Sequence, residues 1–495
     1  MDSNLHLKAG DRLIVGTTVT TLDEEFVSAM QPGDRLLAVT DTRSIKRIPA
    51  SVVSLVDDAM SRAVDAFREF TAASRDSVTQ FFDFAAQLLS DDAIAQQIVD
   101  VNQEDVSNAL ARGRSTTRLE FTPKMHADMI DAFLMWRDSD VTAETKISET
   151  VHPGWTVEQW KAPLGVVGFV FEGRPNVFAD ATGVLRSGNT VIFRIGSDAL
   201  ETAKTIMNLV VKPALRQANL PQDCVLLVES TEHAAGWALF ADQRLALAVA
   251  RGSGQAVAEL GSIARQAGVS VSLHGTGGAW MIIGEEANTE RVSSVVTHSL
   301  DRKVCNTLNV VCIPESRSKE MIPIVYAAAE KAASQRSCRA RIHTVHVPQD
   351  LLPVSQEISV IRQDGEHVEH QITSSEVEHL GHEFEWENNP EFFLVVVKNL
   401  SEAIDLFNTY SPQFIVSAIS ESEEELRAVW SRCNAPFVGN GFTRWVDGQF
   451  ALLRPELGLS NWEGGRLFSR GGVLSGDSAY TVRLRVVQSD INVHR

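Results

Sequence analysis

The sequence predicts an α/β fold: an open, doubly wound parallel sheet joined to a smaller α/β domain. Two observations carry that expectation. Short runs that are apolar throughout recur from Trp160 onward: GVVGFVF, TVIFRI, CVLLVE and LALAVA. Strands buried on both faces read this way. Helical stretches lie between them, the longest from Asp198 to Ala218, and crossover helices imply parallel pairing. Such sheets bind ligands beyond the carboxyl ends of their strands. At 495 residues the chain is long enough for two or three domains.

In chain order, residues 1–50 are strand-like and punctuated by turns. GDRLIVG at Gly10 and GDRLLAV at Gly33 echo one another and predict two short strands entered through similar turns. From Val56 the spacing becomes helical, with Val56, Ala59, Met60, Ala63, Val64 and Phe67 on one face. A second helix is predicted to start at Ser77, where Ser77-Val-Thr-Gln80 has capping-box spacing. Its stripe is Phe81, Phe84, Ala85, Leu88 and Leu89. Both stripes read as core packing. The stretch from Val347 to Asn389 is polar and rich in Glu and His, which predicts surface loops. Near the end, AYTVRLRVV (Ala479 to Val487) alternates Tyr480, Val482, Leu484 and Val486 on one face, as a half-buried strand does.

Composition narrows the function. A net charge of −19 argues against nonspecific binding to nucleic acid or anionic membranes. MDSNLHLKAG has no apolar core of a secretory signal, and no apolar run is long enough to span a bilayer. Five cysteines, an odd number, read as free thiols in a reducing compartment, so a cytoplasmic location is expected. No metal site is expected.

Several residues along the sheet carry chemistry. Gly252-Ser253-Gly254 follows LALAVA and opens a helix. Glycines there let the backbone approach a phosphate, although the same residues also make an ordinary strand-to-helix turn. Arg194 emerges at a strand end beside Gly196 and Ser197, either to hold an adenosine 2′-phosphate or as a solvated surface charge. Asn176 follows a buried strand and enters a helix. Its amide reads either as a donor to a developing oxyanion or as an N-cap.

From about Val56 to the end, the chain resembles the aldehyde dehydrogenase superfamily. Within it, the chain resembles the glutamate-5-semialdehyde dehydrogenases, also called γ-glutamyl phosphate reductases. PLGVVGFVFEGRPNV, SGNTVIFRIG, ARGSG, VCNTLNVV and FTRWVDGQFALLRPELGLS carry the resemblance, in family order over nearly 300 residues. It implies Cys305 as nucleophile, followed by Asn306-Thr307, and Asn176 as oxyanion donor. Arg302 and Lys303 nearby are suited to lowering the thiol pKa. Cys224 and Cys312 lie in apolar runs and read as packed, whereas Cys338 and Cys433 carry no motif.

The implied reaction is reduction of an acyl phosphate, γ-glutamyl phosphate or a close analogue, through a Cys305 thioester to the semialdehyde. NADPH is the expected cofactor, on Arg194 and the resemblance, with NADH as the alternative. Arg174, Arg302, Asn306, Arg444 and Asp447 are implied at the substrate, and Glu387, or Glu385, at the nicotinamide ribose.

Departures from the resemblance also inform. Ordinary aldehyde dehydrogenases carry a general-base glutamate in the motif that falls here near SLHGTGGAW; this chain has His274-Gly275 and no carboxylate before Glu285. A reductase needs no base to hydrolyse its thioester. His274 reads as a base or as a structural histidine. Asp301-Arg302-Lys303 replaces the subfamily's Arg-Pro-Ser run, so Arg302 is offset by one residue. Coenzyme A as acyl acceptor is the second enzymatic reading, and an inactive scaffold or binding protein the third. The expected layout is an N-terminal extension over 1–50, a cofactor domain over 51–300 completed by 435–475, and a catalytic domain over 301–434. Residues 151–161 and 476–490 are expected as oligomerisation strands, the hairpin pairing with a partner's C-terminal strand in a homodimer or homotetramer.

Overall fold

The structure is a computed structural model and describes residues 7–114, 116, 118–140, 144–275, 277–362, 365–445, 456–458, 462–463, 466–467 and 474–493. It divides into two compact units. The first comprises the described residues through Gly275 with 456–458 and 474–493; the second comprises 277–445 with 462–463 and 466–467.

The first unit is built on a five-stranded parallel sheet. From one edge the order is Val225–Leu227, Thr190–Arg194, Val166–Val170, Leu245–Arg251, Val271–His274. In order of occurrence that is 3-2-1-4-5, the doubly wound arrangement, with its switch point between Val166–Val170 and Leu245–Arg251. All residues of Val166–Val170 and Thr190–Arg194 are buried, as unbroken apolar runs require when helices cover both faces.

The helix Ala50–Phe70 buries Val56, Ala59, Met60 and Ala63, while Val64 and Phe67 are only partly covered. Helix Arg75–Leu89 starts two residues before the expected Ser77. Ser74 is extended, and its hydroxyl accepts the Ser77 N–H at 3.0 Å, so Ser74 is the cap. The 198–218 stretch is helical but carries a π turn over Met207–Val211.

The N-terminal echo is a repeated turn. Gly10 and Gly33 both adopt φ of +90°. Each following aspartate accepts a backbone N–H three residues back, Lys8 to Asp11 at 2.7 Å and Gln31 to Asp34 at 2.8 Å. Each turn leads not into a single strand but into a hairpin, Arg12–Val15 with Thr18–Thr21 and Arg35–Val39 with Ser44–Ile48. The second hairpin belongs to this unit. Val39 and Ile48 are buried, Gln266 donates to the Ala38 carbonyl at 2.7 Å, and Lys46 pairs with Glu259 at 2.6 Å.

Tyr480–Gln488 pairs antiparallel with Trp155–Pro163, which pairs in turn with Lys146–His152. The two segments expected as oligomerisation strands thus pair with each other within the chain. Asn189 anchors the return: fully buried, it donates to the Ala479 carbonyl at 2.6 Å and accepts from Leu164 N at 2.7 Å.

The second unit contains a seven-stranded parallel sheet, in the order Ile372–Ser374, Arg341–Val345, Glu391–Val397, Leu308–Pro314, Ala279–Ile283, Ile415–Ile419, Phe437–Gly439. Ala279–Ile283 and Phe437–Gly439, expected with the cofactor domain, are hydrogen-bonded into this sheet instead. The stretch 347–389, expected as loops, holds a hairpin, Glu357–Arg362 with Gly365–His370, and the edge strand Ile372–Ser374. Its polarity hides it because ions hold it. Glu391, 1% exposed, pairs with Arg341, with Arg362 at 2.7 Å and with His343 at 2.8 Å, and Arg362 also pairs with Glu369 at 2.8 Å.

Candidate active site

In the first unit, chemistry gathers at the carboxyl ends of the switch-point strands. Asn176 stands at the start of the short helix Val177–Thr182 but makes no side-chain cap bond. Its Oδ1 is buried and has no hydrogen-bond partner. Of the two sequence readings, the cap is thus excluded and the amide is left for another use.

Arg194 is not a solvated surface charge. It is 5% exposed, its Nη2 donates to the Thr231 carbonyl at 3.3 Å, and its buried Nε has no partner. Burial pushes its pKa down. A buried guanidinium without a carboxylate is unfavourable unless an anion completes it. Gly196 is obligatory here, since a β-carbon would stand 2.7 Å from Gly173 N. Ser197 opens a short 3-10 turn.

Gly252-Ser253-Gly254 joins Leu245–Arg251 to the helix Gly254–Gln266. Ser253 is extended at the N-cap position, without a side-chain cap bond. A β-carbon on neighbouring Gly275 would stand 2.9 Å from Gly254 Cα, so backbones pack directly there.

Around this turn lies a charged cluster that sequence reading did not assemble. Arg251 pairs with Asp180 at 2.7 Å, and Glu172 pairs with Arg174 at 3.2 Å and Arg118 at 3.1 Å. Burial raises the Asp180 pKa, opposed by Arg251. Burial also works to raise Glu172, but the charges of Arg174 and Arg118 hold it below the usual carboxylate range. His274 is pushed down to about 3 by burial and then by Arg251, Arg174 and Arg118. It is neutral at pH 7 and a poor proton acceptor, which favours the structural reading.

In the second unit, Cys305 sits half-buried in the loop between the helix Thr289–Ser299 and the strand Leu308–Pro314. The loop is tightly braced. Gly278 N donates to the Cys305 carbonyl at 2.8 Å, Val304 N to Thr307 Oγ1 at 2.8 Å, and Thr307 Oγ1 to the Arg302 carbonyl at 2.7 Å. Asn306 is 1% exposed, and its carbonyl accepts from Thr443 Oγ1 at 2.8 Å. Burial pushes the thiols of Cys224, Cys312 and Cys338 up, and that of Cys433 up to about 12.

Arg444 is buried beside this loop, with Nη1 3.3 Å from both the Arg302 carbonyl and Asp301 Oδ1. Arg302 itself points to solvent, whereas Lys303 turns inward with a side chain 7% exposed. Lys303 pairs with Glu383, a residue sequence reading did not single out, and lies 3.7 Å from Glu385. Glu387, the expected glutamate, is exposed. Three glutamates alternate through HEFEWEN, and spacing alone does not tell which one turns in. Asp447 lies outside the described residues.

The chain is similar to several known proteins. Residues 35–347 match the model of the aldehyde dehydrogenase family. γ-Glutamyl phosphate reductase 2 of Bacillus licheniformis is 28% identical over 386 residues, covering 76% of this chain and 83% of its own. A γ-glutamyl phosphate reductase of Bacillus cereus is 26% identical over 377 residues, 73% of this chain and 82% of that one. Among solved structures, the Thermotoga maritima γ-glutamyl phosphate reductase superposes with a TM-score of 0.76 at 21% identity, over 89% of this chain and 100% of that one. Propionaldehyde dehydrogenase of Rhodopseudomonas palustris, with bound propionyl-CoA, gives 0.59 at 16% identity, over 89% and 95%. With a matching family model spanning more than half its length and a doubly wound sheet of the same kind, the chain belongs to the aldehyde dehydrogenase family.

Proposed function

We propose that this protein reduces an acyl phosphate, γ-glutamyl phosphate or a close analogue, to its semialdehyde through a thioester on Cys305. The observation that carries the proposal is the placement of Cys305, half-buried on a loop braced by hydrogen bonds to the Cys305 carbonyl and to Thr307 Oγ1, whereas Cys224, Cys312 and Cys433 are buried. The names of the Bacillus relatives support the same substrate class.

Family membership implies a nicotinamide cofactor, which supplies or accepts the hydride when bound. Arg194 fits the 2′-phosphate of NADP, because its buried charge has no carboxylate partner among the described residues. Gly196, Ser197 and the Gly252-Ser253-Gly254 turn fit close passage of phosphates. The Cys305 sulfur attacks the acyl carbon and phosphate leaves. The Cys305 backbone N–H is assigned to the oxyanion of each tetrahedral stage, the role that the family resemblance also implies for the Asn176 amide. Arg174 and Arg444 are assigned to the acyl group's charges. Val482, Leu484 and Val486 stand 40%, 67% and 61% exposed on the C-terminal strand, which supports a homo-oligomer that light scattering would reveal.

The reaction is best tested backwards, because acyl phosphates are labile. Glutamate-5-semialdehyde with NADP⁺ or NAD⁺ is expected to give phosphate-dependent nicotinamide reduction that Cys305→Ala abolishes. Dependence on coenzyme A instead would move the protein to the acylating dehydrogenases.

A further inference from the structure

Glu383 directs its carboxylate at the loop that carries Cys305. The point where a β-carbon of Gly277 would stand is 2.7 Å from Cys305 Cα and 2.9 Å from Glu383 Oε1. A carboxylate beside the loop that carries a thioester can take a proton from water and so hydrolyse the intermediate. A reductase must avoid this. Both oxygens of Glu383 are, however, engaged: Oε1 pairs with the Lys303 ammonium, and Oε2 accepts the Gly277 N–H. The two side chains are 7% and 12% exposed, so water screens the pair little. With one oxygen on the ammonium and the other on the Gly277 N–H, neither is left to orient and deprotonate a water.

We propose that Lys303 is a latch that silences a latent thioester-hydrolase activity of Glu383. The proposal rests on the thioester chemistry above and adds a second reaction, oxidation of the aldehyde to the free acid. With the latch removed, Glu383 takes a proton from water as the water oxygen bonds to the acyl carbon. The carbon–sulfur bond then breaks, the acid leaves, and the proton passes to the departing sulfur. That step consumes no oxidant. The preceding hydride goes to the nicotinamide, as in the reverse reaction. Lys303 belongs to the Asp301-Arg302-Lys303 run that departs from the family pattern, so the latch is a property of this chain.

The test uses the full-length protein with glutamate-5-semialdehyde and NADP⁺, without phosphate or coenzyme A. Wild type is expected to stop once its thiol is acylated. Lys303→Met is expected to turn over continuously to free acid, faster than wild type by about a hundredfold, the low end of what a positioned base contributes. Glu383→Gln in the Lys303→Met background should remove the gain, and Lys303→Arg, which keeps the pair, should show none. Loss of a structural contact alone produces no new product. If Lys303→Met does not fold, Lys303→Gln carries the same test. A folded variant that forms acid no faster than wild type, or a gain that survives Glu383→Gln, overturns the proposal. Phosphate-dependent turnover of the same wild-type preparation separates the two levels: its absence defeats the thioester reading, while its presence without a gain defeats the latch alone.

Discussion

Gly277 and Cys305 approach so closely that a β-carbon on the glycine would stand 2.5 Å from the Cys305 carbonyl oxygen. The next residue, Gly278, donates its N–H to that carbonyl at 2.8 Å. The entrance to the Ala279–Ile283 strand is thereby the support on which the Cys305 loop rests.

Gly277→Ala is therefore expected to displace the loop. Since misplacement of about 1 Å can lower turnover by roughly a hundredfold, kcat should fall by that order. Steady-state kinetics beside a thermal melt checks this; unchanged kcat would show that the contact is not needed.

The five thiols should react unequally. A thiol reagent at neutral pH is expected to label Cys305 ahead of Cys224, Cys312 and Cys433, because those three are buried and burial raises their thiols. Peptide mass spectrometry reads the order. Cys305→Ala should lose the fast phase.

Arg194→Met is expected to divide stability from cofactor affinity. Among the described residues this buried charge has no carboxylate partner, and its removal frees only the long hydrogen bond to the Thr231 carbonyl, so the melting temperature of the protein alone should hold or rise. The KM for NADP⁺ should rise by about tenfold or more, the worth of a charge-assisted contact, with little change for NAD⁺. An equal rise for both cofactors would remove the 2′-phosphate assignment.

Glu391 predicts a pH dependence. Burial opposes its ionisation, but the hydrogen bonds from His343 and Arg362 and the charges of Arg341 and Arg362 outweigh it, lowering its pKa from 4.5 to about 2. A pKa depressed on folding gives stability that is present above pH 4.5 and lost as pH falls toward 2, roughly 3 kcal/mol in all. Glu391→Gln should lack that acid-side slope and lose about 3 kcal/mol at pH 7, because Arg341 and Arg362 are left to share the single carboxylate of Glu369. Urea melts at several pH values would show it.

What was legible from sequence follows from which force holds each element. Val166–Val170 and Thr190–Arg194 are held by burial on both faces, so their apolar runs announce them. The hairpin over 357–370 is held by Arg362 with Glu369 and Glu391, and its charges resemble those of a loop. Ser74 and Ser77 both suit a cap, and only the backbone shows which one is extended. Membership of Ala279–Ile283 in the second sheet depends on partners at Leu308 and Val416, distant in sequence. Cys305 was recognisable from its motif. Glu383 was not, since its role comes from a turn that brings it to Lys303, 80 residues earlier.

The most direct test of a Cys305 thioester is intact-protein mass spectrometry after mixing the protein with glutamate-5-semialdehyde and NADP⁺ and withholding phosphate. One acyl adduct is expected, mapped to Cys305, stable in water and discharged within seconds of adding phosphate. No adduct despite nicotinamide reduction, or an adduct on another residue, would contradict the mechanism.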